Sequence, residues 1–168
     1  MSLIEIPFPV SQLEIPQRGR RLILDGLTRS RRIPCFDFVP CDYDVFYNAL
    51  ASQPRGAFCE WGSGIGIATG LAELLGFAAH GIEIDPALAA AARQLLEEHH
   101  FRATIQTGDY MQIDHPADAY FVYCWPGQME QVKQRFDQIA PSGARLLMAY
   151  GAEDIRCLIR PDEAITQK

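Results

Sequence analysis

From Ala57 to Tyr150 the chain alternates short β-rich runs with helical ones, and this alternation limits the fold more than any other feature. AFCEW, AHGIEI, ATIQTG, ADAYFVYCW and ARLLMAY have the apolar, β-branched and aromatic content of strands. Between them lie the Ala- and Leu-rich stretch from Ile67 to Leu75, a second from Pro86 to His99, and a segment from about Gln128 to Ile139. Strands separated by helices are joined by crossovers, so the expected fold class is α/β, a doubly wound, mainly parallel sheet with helices on both faces. Counted along this run, the five strands are expected in the order 3-2-1-4-5, because the glycine turn after AFCEW belongs beside a central strand at the switch point. At 168 residues, 48% of them hydrophobic, the chain suits one globular domain with a substantial core.

The ends read differently. Pro7, Pro9, Pro16, Pro34 and Pro40 punctuate the first forty residues and disfavour long helices, so extended pieces are expected there. RLILDG and RIPCFDF can pair as an accessory hairpin. Residues 1–41 are therefore read as an accessory segment, a lid over the carboxyl ends of the strands, and 42–168 as the main domain. Asp42 is placed to cap a helix over Tyr43 to Ser52, where Val45, Phe46, Ala49 and Leu50 recur on one face. The few residues after Tyr150 have room for one short strand, Ile155 to Arg160, so the sheet is truncated at its carboxyl-terminal end. Either the amino-terminal segment completes it or an edge is left for a partner.

Composition excludes several function classes. No apolar run reaches the roughly 20 residues of a membrane span, and MSLIEIPFPV lacks the layout of a signal peptide; no membrane partner and a cytoplasmic location are expected. Cys35, Cys41, Cys59, Cys124 and Cys157 show no zinc or redox spacing and read as buried or partly buried thiols. His80, His99, His100 and His115 contain no His-x-x-x-His pair, so no metal is expected. Within a net charge of −6, Arg18, Arg20, Arg21, Arg29, Arg31 and Arg32 crowd one stretch. They can meet phosphate, or the acidic body of their own fold or of a second copy. Lacking interleaved aromatics for base stacking, they argue against nucleic acid.

The sequence FCEWGSGIGIATG, Phe58 to Gly70, joins a strand to a helix through glycines at alternate positions. Glycine admits positive φ and close approach of a ligand to the main chain, which makes Gly62, Gly64 and Gly66 a binding turn. A triphosphate loop needs Gly-Lys-Ser/Thr, and no lysine is near. A dinucleotide turn needs Gly-x-Gly-x-x-Gly, and the third position is Ile67 or Thr69 instead. Glu60, two residues before the first glycine, opposes a phosphate and favours a cation. S-adenosylmethionine, with a sulfonium and an α-ammonium beside its nucleoside, meets both requirements. Glu83, ending the next strand in GIEIDP, can accept hydrogen bonds from both ribose hydroxyls. Asp85 and Pro86 read as the cap and first turn of the following helix. Asp109 in TGDYM can accept the adenine amino proton, and Tyr110 can stack beside the ring.

EWGSGIG, GIEIDP and TGDY, in this order and spacing, resemble the class I S-adenosylmethionine-dependent methyltransferases. The resemblance runs from about Phe38 to Tyr150 and implies a Rossmann-like fold, with S-adenosyl-L-methionine as cofactor. It implies that Gly62, Gly64 and Gly66 line the cofactor, that Glu83 holds its ribose, that Asp109 meets its adenine, and that Glu60 acts on its methionine end. Phe38-Val39-Pro40 is similar to the entry segment of small protein-lysine methyltransferases and their uncharacterised relatives. Ile65 and Ile67 stand where those proteins often carry an acid and an arginine.

Transfer requires the acceptor to be aligned with the sulfonium methyl. The fourth strand ends in Tyr123-Cys124-Trp125-Pro126-Gly127, unlike the Asn-Pro-Pro-Tyr or Asp-Pro-Pro-Tyr signature of methyltransferases acting on nucleobase and glutamine amino groups. Tyr123 and Trp125 are the candidates for an aromatic wall that orients the acceptor by stacking or cation–π attraction. No catalytic base is named. The expected activity is methyl transfer to a small molecule or a protein side chain; the alternative is a cofactor-binding or degenerate methyltransferase fold serving as a protein or nucleic-acid interaction module. A homodimer stays open.

Overall fold

A computed structural model describes residues 3–9, 11–34 and 38–161. Five strands, β2 (Ala57–Trp61), β3 (Ala78–Glu83), β4 (Thr104–Thr107), β5 (Ala119–Tyr123) and β6 (Arg145–Ala149), are parallel and lie side by side as β4-β3-β2-β5-β6. This is the expected 3-2-1-4-5 order, with the switch point between β2 and its neighbours β3 and β5. The sheet then continues beyond it: β7 (Ile155–Ile159) pairs antiparallel with β6, and β1 (Ile4–Ile6) pairs antiparallel with β7. Of the two alternatives, the amino-terminal segment completes the sheet.

Side-chain alternation divides the core between two faces. Phe58, Phe121 and Leu147 point to one, against α2 (Tyr43–Ala51), α3 (Ile67–Leu74) and α4 (Pro86–Glu98). Phe46 of α2 stands at the centre of this face, 4.5 Å from the Phe121 ring centroid and 6.2 Å from that of Phe58. Cys59, Trp61, Tyr120, Leu146 and Met148 point to the other face, where α5 (Met129–Ile139) contributes Val132 and Phe136. The remainder of that face is closed by the loop after β4. Its backbone is clipped by Tyr120, whose hydroxyl donates to the His115 carbonyl and accepts from Ala117 N, and by Arg135, which donates to the Tyr110 carbonyl and to Asp114.

The amino-terminal expectation needs correction. RLILDG is not a hairpin strand: it lies inside α1 (Gln17–Ser30), a helix bracketed by Pro16 and Pro34 rather than broken by them. Gly19, Leu22 and Gly26 recur at helical spacing and are buried, so the apolar stripe outweighs the arginines between them. The glycines bring α1 close to α3 and α4: a Cβ on Gly26 would lie 2.7 Å from Ile67. Residues 35–37 of RIPCFDF lie outside the described residues. α1 therefore packs on the outside of α3 and α4, not over the strand ends, and among the described amino-terminal residues Pro34, Phe38, Val39 and Cys41 reach the cavity described below.

The arginine stretch binds its own fold at three positions. Arg18 donates to the carbonyls of His99 and His100, Arg20 pairs with Asp44 at 2.5 Å, and Arg29 links Asp25 to Glu98 on α4. His99 joins the same group through Asp25 at 3.0 Å. Arg21, Arg31 and Arg32 are exposed. Cys59, Cys124 and Cys157 are buried and Cys41 is half-buried, all as free thiols. Among the described residues no helix is long and apolar enough to cross a membrane.

Candidate functional site

The carboxyl ends of β2, β3, β4 and β5 open into one cavity of about 680 Å³. Glu60, Gly62, Gly64, Glu83, Asp109, Tyr110, Tyr123 and Trp125 all line it. Residues more than sixty positions apart in the chain thus meet in one place. Gly66 does not line the cavity. It starts α3 in the left-handed region, and a Cβ there would lie 3.1 Å from that of Ala92. Gly62 faces open space with φ +75°, whereas Gly64, at φ +53°, is covered by the ring of Phe38.

Glu83 ends β3 with its carboxylate turned back to the glycine turn. Its Oε2 accepts from Gly64 N at 2.6 Å and its Oε1 from Asp85 N at 2.8 Å. Each oxygen retains a second lone pair, enough for two hydroxyl donors. Asp85 has the separate role its place suggested: it caps α4 through the amides of Ala87 and Leu88. Asp109 accepts from Met111 N at 2.8 Å, which orients its carboxylate on the cavity rim. Tyr110 stacks on Trp61, ring centroids 5.2 Å apart and planes within 6°. Trp61 is itself buried, and both rings line the cavity.

Glu60 points to the same face as Phe58, toward α3, where its carboxyl accepts from Thr69 Oγ1 at 2.5 Å. Burial pushes its pKa up to about 8, the Thr69 bonds oppose this, and Glu83 adds to it. Without a cation this carboxyl is held protonated near neutrality; a cation in the cavity favours its ionised form. Ser63, also lining the cavity, has a buried hydroxyl without a protein partner.

Across β2 the cavity is walled by the entry segment and the end of β5. Phe38, Val39, Cys41 and Tyr43 contribute from the first, Phe121, Tyr123 and Trp125 from the second. Asp42 caps α2 and its own amide donates to the Ala152 carbonyl at 3.3 Å, which ties the entry segment to the loop after β6. Burial raises the Cys41 thiol and the Tyr43 phenol above their ordinary values, and nearby Glu60 adds to both shifts. Cys124 is buried and its thiol is likewise raised by burial, so it is no ready nucleophile. Trp125 is 48% exposed at the mouth, and Ile84, just after Glu83, is 66% exposed there.

Sequence reasoning missed Phe121 and Ile84 as lining residues. Ile84 was accessible from its place at a strand end. Phe121 follows from Tyr123 by alternation. Tyr43, expected at the acceptor entrance opposite Tyr123, lines the cavity, and the packing of α2 against β5 holds it there.

No protein-family model matches the chain, and no curated protein matches it significantly. Solved structures do. An RNA methyltransferase from Salinibacter ruber in complex with S-adenosyl-L-homocysteine is 21% identical over 74% of this chain and 95% of its own, with a TM-score of 0.63. A Podospora anserina methyltransferase bound to S-adenosylhomocysteine is 16% identical over 82% of this chain and 64% of its own, at a TM-score of 0.63. A precorrin-6y C5,15-methyltransferase from Geobacter metallireducens is 19% identical over 62% of this chain and 58% of its own, at 0.53. The chain has the Rossmann-like fold of the class I S-adenosylmethionine-dependent methyltransferases.

Proposed function

We propose that the protein is an S-adenosylmethionine-dependent methyltransferase whose acceptor is a small molecule or a protein side chain. The observation that carries this reading is the convergence of Glu60, Gly62, Gly64, Glu83, Asp109 and Tyr110 on one cavity at the switch point. The residues fit the cofactor. Glu83 has lone pairs for both ribose hydroxyls, Asp109 and Tyr110 stand on the adenine side, and the open face of Gly62 and buried Glu60 suit the cationic methionine end. The cofactor would supply an activated methyl group; the chain's residues would bind it, orient the acceptor and exclude water. The carboxylates of Glu83, Asp85 and Asp109 lining the cavity oppose a triphosphate or pyrophosphate, which supports this cofactor over ATP or NAD.

Calorimetry with S-adenosylmethionine, S-adenosylhomocysteine, NAD and ATP tests the binding half, with only the first two expected to bind. Glu83→Ala and Asp109→Ala should each weaken binding by about 1.5–3 kcal/mol, the range for hydrogen bonds to charged groups. For the transfer half, labelled cofactor is incubated with cell extract, then resolved into protein, nucleic-acid and small-molecule fractions. Label is expected in protein or small molecules. Tight cofactor binding with no label above the Glu83→Ala control would leave a binding module instead.

A further inference from the structure

The cavity has a one-sided charge. Among its described lining residues there is no lysine, arginine or histidine, while the carboxylates of Glu83, Asp85 and Asp109 and the buried carboxyl of Glu60 face or rim it. Three of these already hold backbone amides of their own fold, in the glycine turn or at the start of α4 and the loop after β4. Among the described residues, the wall on the β5 side carries no carboxylate. It is aromatic: Phe38, Tyr43, Phe121, Tyr123 and Trp125 surround the space that the cofactor-facing residues leave open. Beside the Tyr43 and Tyr123 hydroxyls and the Gln128 amide, that wall offers a charged acceptor its aromatic rings, and ring faces attract cations.

Resting on the methyltransferase reading, we infer that the acceptor atom is an amine nitrogen, delivered to the aromatic wall in its ammonium form, and that carboxylate and phosphate acceptors are rejected. The chemistry agrees with the electrostatics. The ammonium first loses one proton to solvent water at the mouth. The freed nitrogen lone pair then forms the new N–C bond to the methyl carbon while the C–S bonding pair stays on sulfur. A neutral amine and a sulfonium cation become an N-methylammonium and a neutral thioether. Positive charge is conserved and moves from the sulfur toward the aromatic wall, and no described lining residue carries a cation to oppose it at the start, the transition state or the product. With an anionic acceptor the same transfer would cancel the charge, and the acceptor would first have to enter past carboxylates and ring faces. A hydroxyl acceptor would need a base on this wall. The Tyr43 phenol and Cys41 thiol, both raised by burial, do not provide one.

The test uses the full chain saturated with S-adenosylhomocysteine, whose own binding is measured first. Three probes of one shape are titrated by ligand-observed NMR: choline, a cation that cannot be methylated; 3,3-dimethyl-1-butanol, its neutral isostere; and 3,3-dimethylbutyrate, its anionic counterpart. Choline should bind at least about tenfold more tightly than the neutral probe, and the anion most weakly. Trp125→Ala should reduce the choline preference to within about twofold while S-adenosylhomocysteine affinity stays unchanged, and Trp125→Phe should keep most of it. In the labelled extract, the methylated product should be retained by cation exchange and survive alkali. Equal or tighter binding of the anion, a choline preference that persists in Trp125→Ala, or an alkali-labile labelled product would overturn the inference and leave the cofactor reading standing. Failure of S-adenosylhomocysteine to bind the wild-type chain would remove both.

Discussion

Gly62 and Gly64 have the same backbone requirement and different surroundings, which separates strain from contact. Both lie at positive φ, +75° and +53°, so alanine at either costs on the order of 1–2 kcal/mol of left-handed strain. At Gly62 a Cβ meets nothing within 4 Å, and Gly62→Ala should lose that amount and no more. At Gly64 the same atom would stand 2.6 Å from two carbons of the Phe38 ring. An ordinary carbon contact is about 3.5–4.0 Å, so the ring must retreat by roughly 1 Å. Overpacking typically costs about 1–3 kcal/mol, and the lower half applies because Phe38 is half-buried and can turn outward. Gly64→Ala should therefore lose about 1 kcal/mol more than Gly62→Ala in urea denaturation. The excess belongs to Phe38, so Gly64→Ala measured in a Phe38→Ala background should cost no more than Gly62→Ala does. An excess that survives removal of Phe38, or no excess at all, would show that the entry segment does not lie on the glycine turn.

Other consequences follow from charge and loop anchoring. Glu60 keeps its proton up to about 8 in the fold, against an ordinary value of 4.5; the unfolded chain releases that proton first, so stability of the ligand-free protein should fall as pH rises between these values. Glu60→Gln should flatten that fall, and should also remove the gain in S-adenosylmethionine affinity expected in wild type from about pH 6 to about pH 7.5, since a cation must displace the proton. His80 and His115 stack at 3.9 Å, and burial lowers both pKa values, the stacked neighbour lowering His80 further. The unfolded chain thus binds protons first below about 6.5, stability should decline toward pH 5, and His115→Gln should lessen the decline in pH-dependent denaturation. Arg135 holds the Tyr110 carbonyl and Asp114, so Arg135→Ala should weaken S-adenosylhomocysteine binding several-fold in calorimetry through a loosened loop. Asp85→Ala should cost about 1 kcal/mol of stability by removing the α4 cap, measured in urea.

Much of the site was legible because its residues sit at strand ends, where local pattern and chain position coincide. The run of strands and helices determined a parallel sheet, and the glycine turn, by marking the central strand at the switch point, determined its order. Glu60, Glu83 and Asp109 could be placed on the cavity from their spacing alone, and Asp85 separated from Glu83 by the proline that follows it. Tertiary structure decided what depends on contacts between distant segments. Pro16 and Pro34 read as helix breakers, yet they bound α1, whose buried glycines have meaning only against Ile67 and Leu71. The pairing of Tyr110 with Trp61 joins two residues each of which is ambiguous alone. The protonation of Glu60 is set by desolvation, which no spacing encodes. The aromatic wall, built from an entry segment and a strand end some eighty residues apart, exists only because β5 lies beside β2 and brings Tyr123 and Trp125 opposite Phe38 and Tyr43.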